Sequence, residues 1–507
     1  MANKNERKLG AILSYITIIA NTIIQLLYTP LLIRQLGQSE YGLYSLASSI
    51  IGYLTVLDLG FGNAIIVYTS KYRAQGKTKE EQKLHGMFKI IFIIIGIIAA
   101  ILSLLLYANV NNIFGNTMSI KEIEKTKIMM LILSFNLMIT FSFSIYSSII
   151  SAYEKFVFQK VMALLNSIMK PILMIPLLFL GYKSIAMCVG ITIINIIVLL
   201  SNYLFCVKKL RISTKFLGFD KKIFKTILGY SIWIFLGVIV DKVNWSVDNF
   251  VLGAVSGTIA VSIYSIAATI NHLFINLSTA VSGVLLPKMS KLVAKNTSGE
   301  QLTDEMIKVG RIQNYIIFLM CSGLVLFGKN FIIIWAGKGF EESYYVALLL
   351  IIPVCIPLIQ NLGLSIMQAM NKYKFKSIST AIMSVINIII SIFLAKKWGA
   401  TGAALGTCIS LIICNIIIIN IYYYKEIKLD VIKFWKNIIK QSIPFIVPII
   451  LIVLFMKIIK VKGMFAFVLY GGIYTILFCI VAYFLSMNNY EKELINKVLI
   501  KLHLRKA

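Results

Sequence analysis

The chain has 507 residues, of which 59% are hydrophobic and 14% charged, and its formal net charge is +30. Soluble domains are about half apolar and about a quarter charged, so this composition excludes an ordinary soluble protein. Apolar runs of about 20 residues recur along the chain, which is the length that crosses a bilayer core, and the ten-residue alternation of a membrane β-barrel is absent.

The hydropathy pattern predicts an all-α polytopic membrane protein with about 14 transmembrane helices. The first one follows the basic start MANKNERKLG, and we expect it to be retained because its apolar stretch is too long for a signal peptide. The predicted helices are 10–33, 41–66, 88–108, 128–150, 161–180, 184–206, 226–247, 250–286, 312–335, 343–370, 377–395, 400–424, 441–460 and 464–486.

The distribution of lysine and arginine predicts the orientation. If the N-terminus is inside, most of the 50 Lys and Arg residues fall in loops on that side. The positive-inside rule then places both termini on the cytoplasmic side of the membrane. This bias accounts for most of the net charge, so nucleic acid is not needed as a partner, and the basic loops are expected to lie against anionic lipid headgroups.

A weak internal repeat divides the predicted helices into two sets. GQSEYGLYSLAS (37–48) aligns with GTIAVSIYSIAA (257–268), and AYEKFVFQ (152–159) aligns with AMNKYKFK (369–376) in the same order. The repeat predicts two pseudo-symmetric six-helix lobes around a central cavity, plus two C-terminal helices. The predicted domains are an N-lobe (1–206), a basic cytoplasmic linker (207–225), a C-lobe (226–424), and the last two helices with a cytoplasmic tail (425–507).

Polar side chains inside the predicted helices are candidates for a substrate site, because such groups are costly against lipid. They form stripes on helices 1, 2, 7 and 8, the first two of each lobe, which would line the space between the lobes if the lobes face each other. Packing between helices explains the Ser and Thr residues at least as well. The polar candidates are Asp58, Asp241, Asn244, Asp248, His272 and Asn276.

Four cationic residues could attract an anionic substrate: Arg34, Lys170, Lys242 and Lys288. Lys170 is the hardest to explain otherwise, because it lies in mid-span before Pro171, far from either interface. Interface anchoring explains Arg34 equally well, and Lys242 could simply pair with a neighbouring aspartate.

Enzyme chemistry has no support in the sequence. P-loop, nucleotide-binding, HExxH and GxSxG motifs are absent, so we expect no catalytic residues and no ATP hydrolysis by this chain. The seven cysteines lie in or beside apolar runs, and the three histidines are scattered, so neither a metal nor a cofactor is expected. A coupling ion, H⁺ or Na⁺, is not identified by any residue, although Asp58, Asp241, Asp248 and His272 could take part.

The segment TPLLIRQLGQSEYGLYSLASSIIGYLTVLDLGFGNAIIVYTSKY resembles the N-terminal signature of the polysaccharide transporter family. This family holds Wzx-type oligosaccharide flippases and teichoic-acid exporters of the multidrug/oligosaccharidyl-lipid/polysaccharide (MOP) superfamily. The matching elements are Arg34, Leu36-Gly37, Tyr41-Gly42-Leu43-Tyr44, Asp58-Leu59-Gly60 and the SKYR that follows. VDNFVLGAVSGTIAVSIYSIA in the second half carries Asp248, Leu252-Gly253 and Tyr264, so the resemblance covers nearly the whole chain.

The resemblance implies a flippase that moves an undecaprenyl-diphosphate-linked oligosaccharide to the outer leaflet by alternating access. It serves surface polysaccharide biosynthesis, of the O-antigen, capsule or teichoic-acid type. The implied fold is two lobes around a V-shaped cavity lined by helices 1, 2, 7 and 8, in which cations attract the diphosphate and hydroxyl and amide groups bind sugars. Membrane lipids, and the polymerase and glycosyltransferases of the same pathway, are the candidate partners.

Three alternatives stay open. A drug/cation antiporter of the same superfamily would want a cavity dominated by carboxylates. A lipid II flippase would carry more arginines in its first helices, where this chain has only Arg34. A membrane-embedded polysaccharide polymerase or glycosyltransferase would show a large outward loop or an acidic motif, and the largest outward loop, 109–127, is short and has no acidic constellation.

Overall fold

A computed structural model of the chain describes residues 4–282, 292–293, 297–370, 372–458 and 463–501, with most of their side chains. All regular elements in these ranges are helical, which confirms the all-α class. Eleven helices of this part are long and apolar enough to cross a membrane, so the polytopic class is confirmed as well. The number of 14 helices stays a prediction.

The helices follow one another with short connections. They are α1 (Lys4–Leu54), α2 (Phe61–Ala74), α3 (Thr78–Ala108), α4 (Val110–Phe114), α5 (Ile120–Ala152), α6 (Phe156–Phe179), α7 (Ser184–Leu204), α8 (Lys221–Val255), α9 (Gly257–Ser282), α10 (Gly299–Trp335), α11 (Glu342–Ile359), α12 (Asn361–Ala369), α13 (Tyr373–Leu411), α14 (Ile419–Lys425), α15 (Val431–Ser442), α16 (Ile446–Ile458), α17 (Gly463–Val481) and α18 (Asn489–Lys501). Short 3₁₀ segments cover Thr55–Asp58 and Ile443–Phe445, and π-helical segments cover Phe205–Lys209, Ile412–Ile418 and Ala482–Ser486.

Left-handed residues divide the first part of the chain into separate helical pieces. Gly37 interrupts α1 with φ at 80°, a conformation that glycine adopts without steric cost. Leu59 (φ 52°) and Gly60 (φ 72°) then separate α1 from α2. The second predicted helix, 41–66, therefore consists of two helices, because the chain turns at Leu59–Gly60 inside an otherwise apolar run.

The chain divides into two compact units. Unit 1 comprises Met1–Ser265 and Ile392–Ala403, and unit 2 comprises Ile266–Ser391 and Ala404–Ala507. Within unit 1, α8 packs against α1 and α2, and α5 packs against both α3 and α7. The predicted lobe boundary at 207–225 falls inside unit 1, and the division into an N-lobe and a C-lobe stays a prediction.

Residues 210–220, the middle of the predicted linker, have no regular helix and lie across the start of α3. A Cβ on Gly86 would stand 2.1 Å from the carbonyl oxygen of Lys215, so only glycine permits this crossing. The hydroxyls of Tyr146 and Thr214 lie 3.3 Å apart. The linker is therefore held closely against the N-terminal part of α3 and the C-terminal part of α5.

Asp220 closes the linker at the start of α8. Its Oδ1 accepts the backbone N–H groups of Lys222 and Ile223, both at 3.0 Å, as an N-cap residue does. Its Oδ2 lies 3.4 Å from Nζ of Lys83 on α3. The bond from Ile223 N–H is the main reason that the pKa of Asp220 lies below its usual value.

A buried ion pair joins α10 to α18 in unit 2. Nε of Arg311 donates to Oε1 of Glu491 at 2.6 Å, and a terminal guanidinium nitrogen donates to Oε2 at 3.0 Å. Tyr315 donates to the same carboxylate at 3.0 Å, and the carbonyl of Ser486 accepts from Arg311 at 2.8 Å. These added bonds matter because a buried pair is favourable only when its remaining polar groups are satisfied.

Candidate functional site

Polar residues of α1, α8 and α9 meet inside unit 1. The amide of Asn249 donates to Oγ of Ser49 at 2.9 Å and its oxygen accepts from Oγ of Ser265 at 3.3 Å. Beside it, the carboxylate of Asp248, which is 3% exposed, accepts the phenol of Tyr264. Asp248 is thus held by a neighbour that the sequence also singled out, while its part in substrate binding stays a prediction.

Asp58 occupies the turn between α1 and α2 rather than a continuous helical stripe. Its carboxylate accepts the backbone N–H groups of Gly60 and Gly62. These groups belong to the N-terminus of α2, where unpaired N–H groups and the helix dipole favour a negative charge. The structure therefore gives Asp58 a local task, the capping of α2, which the predicted stripe on helix 2 did not include.

The predicted cations are placed differently from one another. Arg34 is exposed, one turn before the break at Gly37, and Lys242 is partly exposed on α8. Lys170 is exposed in the middle of α6, and its ammonium has no hydrogen bond or ion pair with the part of the chain that the structure describes. Lys288 lies outside the described residues.

Four polar candidates remain. His272 and Asn276 are exposed on α9, and both belong to unit 2. The side chains of Asp241 and Asn244 lie outside the described residues, although their backbone is part of α8. The assignment of these four residues to a substrate site stays a prediction.

A carboxylate that the sequence analysis did not select connects three elements of unit 1. Glu122, in the first turn of α5, accepts Oγ of Ser39 at 2.6 Å and Oγ1 of Thr258 at 2.8 Å. It also accepts N–H and Oγ of Ser119, both at 2.9 Å, which completes a capping box. We call these four residues the Glu122 network. It joins the break in α1 to the first turns of α5 and α9.

A second network lies next to the first. Glu40 forms an ion pair with Lys125 on α5 and accepts both Oγ and N–H of Ser184 at the start of α7. We call these three residues the Glu40 network. Since Ser39 and Glu40 are neighbours, one short segment of α1 holds the ends of α5, α7 and α9 together.

These groups can do noncovalent chemistry. Ammonium and guanidinium groups bind phosphates by charge-assisted hydrogen bonds, and hydroxyl and amide groups bind sugars. Across the described ranges, no group of three or more His, Cys, Asp or Glu side chains lies close enough to hold a metal ion.

Comparisons with known proteins agree with this architecture. Residues 9–293 match the model of a family described as "Polysaccharide biosynthesis protein". A Shigella flexneri protein named "Putative O-antigen transporter" is 21% identical over 401 residues, which cover 77% of this chain and 92% of that protein.

The solved structures with similar folds include two membrane transporters. The lipid II flippase MurJ, in an inward closed conformation, matches with a TM-score of 0.73 at 20% identity, over 94% of this chain and 98% of that chain. A multidrug resistance MATE family transporter of the MOP superfamily, in an inward-facing conformation, matches with a TM-score of 0.62 at 14% identity, over 79% of this chain and 96% of that chain. At these identities the likeness concerns the fold.

Proposed function

Because the chain belongs to the polysaccharide biosynthesis protein family, a family of MOP-superfamily membrane transporters, we propose that it flips a polyprenyl-diphosphate-linked oligosaccharide. The flippase would act across the bacterial plasma membrane by alternating access and supply surface polysaccharide biosynthesis. The chain contributes binding and conformational change to this process and no covalent chemistry.

The observation that carries the proposal is the position of Lys170. An exposed ammonium in the middle of an apolar helix is costly unless it faces water or an anion. At 4 Å and an effective dielectric constant of about 20, one unit of negative charge attracts an ammonium by about 4 kcal/mol. A diphosphate carries more than one such charge, so Lys170 fits its recognition.

Different parts of the proposed substrate would contact lipid and protein. The polyprenyl tail can remain among the acyl chains, because burying it in protein gains little over lipid. Only the diphosphate and the sugars need polar surroundings, and cations such as Arg34 and Lys170 with nearby hydroxyl and amide groups would supply them. Release on the far side then requires the ends of the helices there to separate, and the Glu122 and Glu40 networks are the contacts that would have to open.

Transport by reconstituted protein tests the role of Lys170. Proteoliposomes would be loaded with a fluorescent polyprenyl-diphosphate oligosaccharide, and the rate of its appearance in the opposite leaflet would be measured. We expect Lys170→Gln to lower the rate at least tenfold and Lys170→Arg to preserve most of it. Lys160→Gln, on the same helix near its start, is the control. Wild-type rates for Lys170→Gln would refute the proposal.

Lipid II is the second candidate substrate, because the likeness to the lipid II flippase MurJ extends over 94% of this chain. Lipid II is also a polyprenyl diphosphate, so the cationic argument fits both substrates equally. The same assay with lipid II in place of the oligosaccharide separates them. Faster flipping of lipid II would assign the chain to peptidoglycan precursor transport.

A further inference from the structure

A cavity of about 850 Å³ lies between the C-terminal half of α6 and the N-terminal half of α7, inside unit 1. Its wall is mostly apolar and includes Ile172, Leu173, Pro176, Leu177, Val189 and Ile193. Its polar residues, Glu40, Lys125, Lys183 and Ser184, lie together where α6 gives way to α7. The cavity therefore has one polar end and one long apolar part, as a lipid has.

The dimensions of the cavity match one leaflet of a membrane. Ser184 and Ile193, which both line the cavity, are nine residues apart on α7, which is roughly 14 Å at helical rise and about half of a hydrocarbon core. Phe179 and Tyr182 are 68% and 57% exposed and stand beside Lys183. An exposed tyrosine next to a lysine, as Tyr182 is next to Lys183, is typical of the membrane–water interface. The polar end thus lies at headgroup level, and the apolar part reaches toward the bilayer centre.

The charge at the polar end favours an anion. Lys125 is compensated by its ion pair with Glu40. The ammonium of Lys183 is exposed and makes no ion pair or hydrogen bond within the residues that the structure describes. One positive charge is therefore left over at the polar end of an apolar cavity.

We propose that this cavity binds an anionic phospholipid, with its phosphate at Lys183 and an acyl chain along α6 and α7. A zwitterionic lipid would fill the apolar part and leave Lys183 without a net counter-charge, whereas a soluble phosphate would leave the apolar wall uncovered. The headgroup would also stand beside Lys125, so the bound lipid competes with Glu40 for that ammonium. Lipid binding is thereby linked to the Glu40 network, independently of what the protein transports.

Native mass spectrometry of the purified full chain tests the lipid site. The protein would be equilibrated with phosphatidylglycerol or with phosphatidylcholine of the same acyl chains, and the retained lipid counted. We expect phosphatidylglycerol to be retained preferentially, and Lys183→Gln to weaken its binding about fivefold, the size expected for one lysine at an anionic surface. Lys121→Gln, an exposed lysine in the first turn of α5 outside the cavity, should leave the binding unchanged.

A second pair of variants tests the apolar part without changing charge. Val189→Trp should fill the cavity and remove the retained phosphatidylglycerol, whereas Ile197→Trp, equally exposed on α7 but outside the cavity, should not. Equal retention of the two lipids, equal loss in Lys183→Gln and Lys121→Gln, or full displacement by glycerol phosphate without acyl chains would each overturn the proposal.

Discussion

The carbonyl oxygen of Thr258 lies 2.0 Å from the point where a Cβ on Gly42 would stand. The backbones of α1 and α9 thus touch at a position that only glycine permits, directly beside the hydrogen bond from Thr258 to Glu122. Gly257 makes a similar approach, since its Cβ would stand 2.9 Å from the carbonyl oxygen of Thr117. Close backbone packing and the Glu122 network therefore stabilise the same junction of helix ends.

We expect Gly42→Ala to separate α1 from the start of α9, because a backbone carbonyl cannot move aside as a flexible side chain can. Overpacking of this kind typically costs about 1–3 kcal/mol. The measurement is the thermal unfolding midpoint of the purified protein. Gly52→Ala, on the same helix with nothing within 4 Å of its Cβ, is the matched control and should unfold no earlier than the wild type. A midpoint for Gly42→Ala equal to that of the control would contradict the contact.

Glu122→Gln should loosen the junction without unfolding the protein. Ser39 and Thr258 both donate to Oε1, whereas the N–H and Oγ of Ser119 bond Oε2. The amide has only one acceptor oxygen, so one of these two sets loses its acceptor, at a cost of about 1–3 kcal/mol. Hydrogen exchange read by mass spectrometry should show faster exchange in the first turns of α5 or of α9. Glu124→Gln, an exposed neighbour, should show wild-type exchange there. Equal exchange in both variants would mean that the Glu122 network does not stabilise these helix ends.

Glu491→Ala should destabilise unit 2 strongly, because it leaves the guanidinium of Arg311 buried without its counter-charge. Breaking such a pair costs about 3–5 kcal/mol, whereas an exposed pair contributes about 1 kcal/mol or less. Lys433→Ala, which removes the exposed contacts to Asp304 and Glu300, is therefore the control. The prediction fails if the two variants lower the unfolding midpoint by the same amount.

The cap of α8 gives a pH dependence whose sign follows from the lowered pKa of Asp220. The folded carboxylate binds its proton less readily than the unfolded one, so its contribution is complete above about pH 4 and declines as the pH falls further. At neutral pH, Asp220→Ala should cost about 1 kcal/mol, the usual value for an N-cap. Lys83→Ala should cost less, because its ion pair is long, at 3.4 Å, and partly exposed.

Unfolding midpoints of these two variants and the wild type would be compared at pH 7 and at pH 3. The difference between the wild type and Asp220→Ala should shrink at the lower pH. A difference that grows on acidification would mean that the carboxylate does not act through the N–H groups of Lys222 and Ile223.

The sequence was most informative where one physical effect dominates. Apolar length predicted the all-α membrane class, because a helix of about 20 apolar residues satisfies its own backbone in lipid, whereas a β-barrel would show alternating strands of about ten residues. Apolar length did not predict the end of the helix after Asp58, because apolar residues lie on both sides of the turn at Leu59–Gly60. The pattern Asp-Leu-Gly-Phe-Gly did contain the signal for a capped turn, in the two glycines that follow an aspartate.

The Glu122 network shows a different limit. The capping box of Ser119 and Glu122 is local and can be recognised from four residues. Its partners Ser39 and Thr258 lie 83 and 136 residues away, and only the packed helices bring them to the same carboxylate. The pairing of Glu40 with Lys125 is of the same kind, since 85 residues separate them. Repeats and stripes predict which helix faces are polar, but not which side chains they meet.

The buried pair of Arg311 and Glu491 has a consequence for biosynthesis. The two residues are separated by 180 positions, so the ribosome completes α10 long before the carboxylate exists. At a translation rate of about 5–20 residues per second, Glu491 is synthesised roughly ten to forty seconds after Arg311. During this time, Arg311 in the N-terminal half of α10 lacks its carboxylate partner, which is supplied only when α18 is synthesised. The synthesis of α18 thus determines when this part of unit 2 can take its final structure.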